Sequence, residues 1–134
     1  MRDLFILFLS IIIFSLFGTE VQANKLNNEE CNLLANEINK SLANMHVDKV
    51  TILNTSFCAR DAHLTYMYTV TENVTRNVFK KRMNQELKPI VINSWCTDPD
   101  MFFLMEMLDS ITYNYRSDNG NYLGEYTIDE SYCY

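Results

Sequence analysis

An apolar run near the N-terminus decides how much of this chain is available to fold. Residues 4–17 are apolar except for two serines, and Arg2 precedes them. A membrane-spanning helix needs about 20 apolar residues, whereas the apolar part of a secretory signal peptide has roughly 7 to 15. Val21-Gln22-Ala23 then supplies a cleavage signal that ends in a small residue. We therefore predict a signal peptide over residues 1–23, cleavage before Asn24, and one domain over residues 24–134.

Two alternatives to a cleaved signal peptide have less support. An uncleaved membrane anchor remains open because Asp3 leaves the N-terminal region only weakly positive. Lipidation needs a cysteine directly after the apolar run, and the first cysteine, Cys31, lies well beyond it. We expect an exported protein, periplasmic or secreted, with no stable membrane anchor after cleavage.

Four cysteines follow the predicted cleavage site, and an even number of widely spaced cysteines in an exported protein is typical of disulfides. They are Cys31, Cys58, Cys96 and Cys133. Three connectivities are possible. We favour pairing the first with the second and the third with the fourth, because each bridge then links one half of the chain to itself.

Metal binding is disfavoured by the spacing of the same residues. No two cysteines are spaced C-x-x-C, and neither His46 nor His63 lies at a zinc-ligand interval from a cysteine. The chain also has no glycine-rich phosphate loop. We expect no cofactor.

The acidic balance of the chain argues against some partners. Residues 24–134 carry 15 acidic and 10 basic side chains, a net charge of −5. Such a surface repels nucleic acid and anionic lipid. The basic cluster Lys80-Lys81-Arg82 is more simply the solvated face of a helix. We therefore expect a protein partner and no nucleic acid.

Hydrophobic periodicity indicates the elements of the first half. Asn27 and Asn28 can cap a helix whose apolar residues recur at intervals of three and four up to Met45. Residues 50–57 are rich in β-branched side chains, and residues 64–70 alternate strictly. We predict two antiparallel strands joined by a polar turn over residues 59–62.

The second half begins with helical spacing over residues 75–88, with Val74, Val78, Met83 and Leu87 on one stripe. Pro89 either kinks this helix or opens a second piece. Thr97-Asp98-Pro99 predicts the start of another helix over residues 101–108.

A hairpin closes the chain. Asp118-Asn119-Gly120 suits a tight turn between residues 111–115 and residues 122–128. We expect Ile111, Tyr113 and Tyr115 to share a face with Tyr126 and Ile128. The prediction is a small α+β domain in the order helix, strand, strand, helix, helix, strand, strand, with an antiparallel sheet packed on the helices and two disulfides.

A catalytic site is one interpretation of the residues around Cys58, but we favour a structural one. Cys58 and His63, with Asp48 or Asp61, would resemble a thiolate activated by imidazole. A cysteine that is held in a disulfide cannot act as a nucleophile, so we favour the structural role. Asp98 and Asp100 could serve in acid/base chemistry or bind calcium, but their position at a helix start explains them as capping residues.

The clearest candidate partner surface is the helix over residues 101–108, which is apolar nearly all round. Such a helix is either buried on both sides or offers one side to a partner, and methionine makes such a surface adaptable. Six tyrosines of the C-terminal third are a second candidate, because tyrosine suits partly wet surfaces. The residues selected as a possible partner surface are Phe102, Phe103, Met105, Tyr113 and Tyr115. Burial in the core is the alternative for all of them.

The C-terminal 40 or so residues resemble a group of small exported cysteine-containing proteins of Gram-negative bacteria. The resemblance rests on Trp95-Cys96-Thr97-Asp98-Pro99, on the strand over residues 111–115, on Asp118 and Gly120, and on the closing Cys133. The members have no assigned activity. The resemblance implies periplasmic or secreted placement and a bridge between Cys96 and Cys133.

Two functional classes follow from the sequence. The first is a non-enzymatic binding or accessory protein of the cell envelope or the secreted fraction. The second is a small secreted hydrolase or enzyme inhibitor whose site is not visible in the sequence. We favour the first, because no set of residues assembles a recognisable catalytic site.

Overall fold

A layer of helices covers one face of a five-stranded sheet in the computed structural model, which describes residues 25–134. The predicted signal peptide and its cleavage before Asn24 lie outside the described residues. Between residues 25 and 134, no helix is both long and apolar enough to cross a membrane.

Helix α1, Asn28–Leu42, begins at a capping box. The Asn27 side chain accepts a hydrogen bond from the Glu30 N–H at 2.8 Å, and the Glu30 carboxylate accepts one from the Asn27 N–H at 3.1 Å. These two bonds satisfy N–H groups that a helix start otherwise leaves unpaired. The apolar stripe predicted from the sequence is buried: Cys31, Leu34, Ala35, Ile38 and Leu42.

The sheet contains five strands in sequential order, β1 to β5. Their bounds are β1 Met45–His46, β2 Thr51–Arg60, β3 His63–Val70, β4 Ser110–Ser117 and β5 Tyr122–Ile128. The α+β class is confirmed, but the sheet is mixed and not wholly antiparallel, because β3 and β4 run parallel. The physical reason is the long helical crossover between these strands, which brings the chain back to the same end of the sheet.

The crossover is one nearly continuous helical path. It consists of α2, Arg76–Arg82, a π turn over Met83–Leu87, α3, Lys88–Thr97, and α4, Pro99–Met107. Pro89 lies in the first turn of α3, which follows the π turn with no break in the helical backbone at Leu87 and Lys88. A 3₁₀ turn, Glu130–Cys133, ends the chain.

One member of the predicted stripe of α2 is wrong. Met83 is buried and Val74 and Leu87 pack against the core, as predicted. Val78, however, is 59% exposed, whereas its neighbour Phe79 is buried. The Phe79 ring packs against the Tyr115 ring with centroids 5.2 Å apart, and this aromatic contact fixes the orientation of α2.

The predicted start of α4 is confirmed. The Asp98 carboxylate accepts hydrogen bonds from the N–H groups of Asp100 and Met101, both at 3.0 Å. Asp98 is therefore a helix cap, which accounts for one of the two carboxylates considered in the sequence.

A layer of tyrosines lies between the sheet and the helices. The ring of Tyr113 stacks between those of Tyr68 and Tyr126, with centroids 5.8 and 5.2 Å away. The Tyr113 hydroxyl accepts a hydrogen bond from Trp95 Nε1 at 2.7 Å. The alternation predicted for β3 is confirmed. So is the shared face of β4 and β5, because Ile111 lies opposite Ile128 and Tyr113 lies opposite Tyr126.

Both favoured disulfides are present. Cys31 with Cys58 ties α1 to β2, and Cys96 with Cys133 ties α3 to the C-terminal turn. No free cysteine remains in the described chain.

Candidate functional site: a groove beside the second disulfide

The structure divides the predicted partner surface into buried and accessible parts. Met105, Tyr113 and Tyr115 are at most 4% exposed and belong to the core. The tyrosines face inward because they occupy the helix-covered side of β4. In this structure those three side chains are not accessible to a partner, whereas Phe102 and Phe103 are partly exposed.

Cys58 cannot be the nucleophile of a catalytic site, because its sulfur is bonded to the sulfur of Cys31. The structure instead places two other residues beside His63. Its Nδ1 lies 2.5 Å from Ser110 Oγ, and its Nε2 lies 3.7 Å from an Asp109 carboxylate oxygen. This cluster could not be predicted from the sequence, because it depends on the parallel pairing of β3 with β4.

A serine, a histidine and an aspartate in contact invite comparison with a hydrolase site. His63 and Ser110 are direct register partners across β3 and β4, so the short contact follows from strand pairing. The N–H groups of Asp109 and Ser110 both donate to the Ala62 carbonyl, at 2.7 and 3.3 Å. They are therefore not available to stabilise an oxyanion, and the geometry favours a structural cluster.

Metal binding finds no support either. Across residues 25–134, no group of three or more His, Cys, Asp or Glu side chains is placed to hold a metal ion.

An open, mainly apolar groove of about 480 Å³ lies beside the second disulfide and is called here the disulfide groove. Helix α3 contributes one face of residues at intervals of four, Lys88, Ile92 and Cys96. The full lining is Asn84, Lys88, Pro89, Ile92, Asn93, Cys96, Tyr132 and Cys133. The Cys96–Cys133 bond holds the C-terminal turn against α3 and so builds the opposite wall.

One positively charged side chain, that of Lys88, lies at this groove. The Lys88 ammonium is 5.2 Å from the centroid of the Tyr132 ring, a distance at which the ring face attracts a cation. Tyr132 is itself 45% exposed, so the pair lies at the solvent boundary. The wall of the groove is therefore aromatic and partly wet, which is typical of protein contact surfaces.

Exposed aromatic surface continues beyond the groove at the C-terminal residues. Tyr134, which follows the lining residue Cys133, is 89% exposed. The Tyr134 ring meets the edge of Phe102 with centroids 6.4 Å apart. The accessible part of the predicted Met/Phe helix thus joins the disulfide groove through the C-terminal residues.

From the sequence, Tyr132 and Tyr134 were considered only as two of the six C-terminal tyrosines. No functional role was predicted for Lys88, Ile92 or Asn93. A usable signal was present, because residues 88, 92 and 96 share one helical face. The favoured bridge from Cys96 to Cys133 then places Tyr132 beside that face.

Comparison with known proteins gives a fold relationship. No model of a known protein family and no curated protein sequence matches the chain. The fold of the chain does match solved structures. A protein from Pseudomonas aeruginosa described as secreted matches with a TM-score of 0.57 and 11% identity over 80% of this chain and 96% of its own.

Two further matches come from Vibrio. The type 2 secretion pilotin EpsS of Vibrio vulnificus has a TM-score of 0.56 at 12% identity, covering 80% of this chain and 94% of its own. The type II secretion pilotin AspS of Vibrio cholerae has a TM-score of 0.58 at 10% identity, covering 79% and 91%. The chain shares their fold. At these identities the likeness concerns architecture, and function has to be argued from the site.

Proposed function

We propose that this chain is an exported, non-enzymatic accessory protein that binds a protein partner, and that the disulfide groove is the contact site. The fold neighbours support this proposal, because one is described as secreted and two are pilotins of secretion systems. Disulfides accord with export, since they persist in oxidising compartments.

The observation that carries the proposal is an apolar groove with an exposed aromatic side chain in its wall. The groove is lined by a disulfide, an isoleucine and a proline. Tyr132, in its wall, is 45% exposed, and Tyr134, just beyond the lining residue Cys133, is 89% exposed. Exposed apolar surface of this kind is typical of interaction sites.

Affinity capture tests the proposal with a matched pair of variants. Tagged protein, expressed from the full chain and recovered after export, is used to capture partners from the envelope and culture fluid of the producing organism. Tyr132→Asp places a charge in the groove wall. Phe57→Asp is the control, because Phe57 is 44% exposed and lies on β2.

We expect the wild-type protein and Phe57→Asp to capture the same protein and Tyr132→Asp to lose it. Capture that survives Tyr132→Asp but fails with Phe57→Asp would move the contact site to the sheet. The absence of any specifically captured protein would contradict a binding role.

A further inference from the structure

We propose that the disulfide groove selects a partner segment that carries an apolar side chain and a neighbouring carboxylate. This inference rests on the proposed function, because it names the chemistry of the protein segment that the groove accepts. It also makes a separate claim about charge, which the proposed function does not require.

The apolar requirement follows from the floor and walls. Pro89, Ile92 and the Cys96–Cys133 sulfurs offer aliphatic and polarisable surface, and the Tyr132 ring closes one side. The volume of about 480 Å³ falls within the range of roughly 300–1,000 Å³ that is usual for small-ligand sites. The groove is therefore sized for a short segment of a partner, and burying an apolar side chain there removes nonpolar surface from water.

The carboxylate requirement follows from the polar lining. It consists of the Lys88 ammonium and the amides of Asn84 and Asn93, and none of the eight lining residues is acidic. Among the described residues, no ion pair engages Lys88, whose contact is the Tyr132 ring. The ammonium therefore keeps donors for a partner's oxygen atoms, and the amides can add hydrogen bonds to the same group.

The charge beyond the lining is mixed, so the carboxylate requirement rests on the lining itself. Residues 73–97 carry five basic side chains and one acidic side chain, but flanking residues and the C-terminal turn are acidic: Glu72, Asp98, Asp100, Asp129 and Glu130. Lys88 is the one cation among the eight lining residues, and no lining carboxylate competes for it. A carboxylate of a partner that enters the groove would therefore be attracted to Lys88.

Amide NMR of the exported protein tests the charge claim with two capped peptides that differ only in one residue. Both contain the same apolar side chain, which is followed by glutamate in one and by glutamine in the other. Lys88→Met keeps an apolar stem but removes the charge. Lys49→Met, at an exposed lysine outside the groove, is the control.

We expect the glutamate peptide to shift the resonances of Ile92, Asn93 and Tyr132 and to bind at least about threefold more tightly than the glutamine peptide. Lys88→Met should abolish that difference, and Lys49→Met should retain it. Equal affinity of the two peptides for the wild type, or shifts that map outside the groove, would overturn the inference.

The two proposals fail in distinguishable ways. If affinity capture identifies a partner at the groove but the peptides bind equally, the charge claim is wrong and the binding role stands. If the glutamate peptide prefers the groove while no protein is captured, the chemistry of the groove stands and the proposed function is wrong.

Discussion

The side-chain amide of Asn39 pairs with the backbone of Ser56 as a neighbouring strand would. Asn39 Oδ1 accepts a hydrogen bond from the Ser56 N–H at 2.6 Å, and Asn39 Nδ2 donates to the Ser56 carbonyl at 2.8 Å. Strand β1 pairs only with residues 52 and 53 of β2, so Asn39 satisfies backbone groups that β1 does not reach. The edge of β2 is thereby protected at this point.

Replacing Asn39 by alanine should destabilise the fold. Asn39→Ala leaves the buried N–H and carbonyl of Ser56 without these partners, and we expect the free energy of unfolding to fall by about 2–3 kcal/mol. Urea unfolding followed by the fluorescence of Trp95 measures the change. Asn36→Ala, at an exposed position of the same helix, is the control and should change it by less than about 0.5 kcal/mol. Equal effects of the two variants would show that the pairing contributes nothing.

Asn114 should be replaceable with a gain in stability. It is 8% exposed, its Oδ1 has no hydrogen-bond partner among the described residues, and its Nδ2 makes only a 3.4 Å contact with Glu125. Valine removes the unpaired acceptor and suits a strand, so Asn114→Val should raise the free energy of unfolding by about 1 kcal/mol. Thermal unfolding should show a midpoint several degrees higher, roughly 4–8 °C for a domain of this size.

Asn54→Val is the matched control for that variant. The Asn54 amide donates a hydrogen bond to Thr69 Oγ1 across β2 and β3, so its removal should lower stability. If Asn114→Val and Asn54→Val both raised the unfolding midpoint, the gain would come from the strand propensity of valine and not from removal of an unpaired acceptor.

The tyrosine layer should make the protein sensitive to alkali. Burial raises the pKa of five tyrosine hydroxyls above their usual value near 10: Tyr66, Tyr68, Tyr113, Tyr115 and Tyr126. Above about pH 10 the unfolded chain releases these protons while the folded chain retains them, so rising pH favours unfolding. Each tyrosine contributes a slope of about 1.4 kcal/mol per pH unit in that range.

Parallel titrations followed by circular dichroism and by tyrosinate absorbance check this expectation. The absorbance step of the buried tyrosines should coincide with the loss of structure. Ionisation of all eight tyrosines while the fold remains intact would contradict the packing described here.

The two disulfides should differ in their rate of reduction. Cys96 and Cys133 are both partly exposed and line the groove, whereas the first bridge joins the fully buried Cys31 to the partly exposed Cys58. A thiolate must reach a sulfur atom, and it can reach both sulfurs of the second bridge but only one of the first. The Cys96–Cys133 bond should therefore open first. Limited reduction, alkylation and peptide mass spectrometry measure the order. Earlier labelling of Cys31 and Cys58 would contradict it.

Local patterns were sufficient for most elements of the fold. The caps at Asn27 and Asp98, the alternation of β3 and the Asp/Gly turn each depend on residues close in sequence, so they could be predicted. The parallel pairing of β3 with β4 could not, because side-chain alternation is the same in both strand directions. The exposure of Val78 depends on where the Phe79 ring finds its aromatic partner, which is a tertiary contact.

The site was predicted less well for the same reason. An apolar helix such as α4 can be buried or exposed, and the structure buries Met105 while leaving Phe102 partly accessible. The disulfide groove combines α3 with residues more than thirty positions later, so it becomes visible only when Cys96 is joined to Cys133.

Site-specific photo-crosslinking in the producing organism can show whether a protein partner contacts the disulfide groove. A photoreactive phenylalanine derivative replaces Tyr132 in one strain and Phe57 in another, and the exported fraction is analysed after irradiation. We expect a discrete cross-linked protein from position 132 and none from position 57. A cross-link from position 57 alone, or none from position 132, would contradict a partner bound at the disulfide groove.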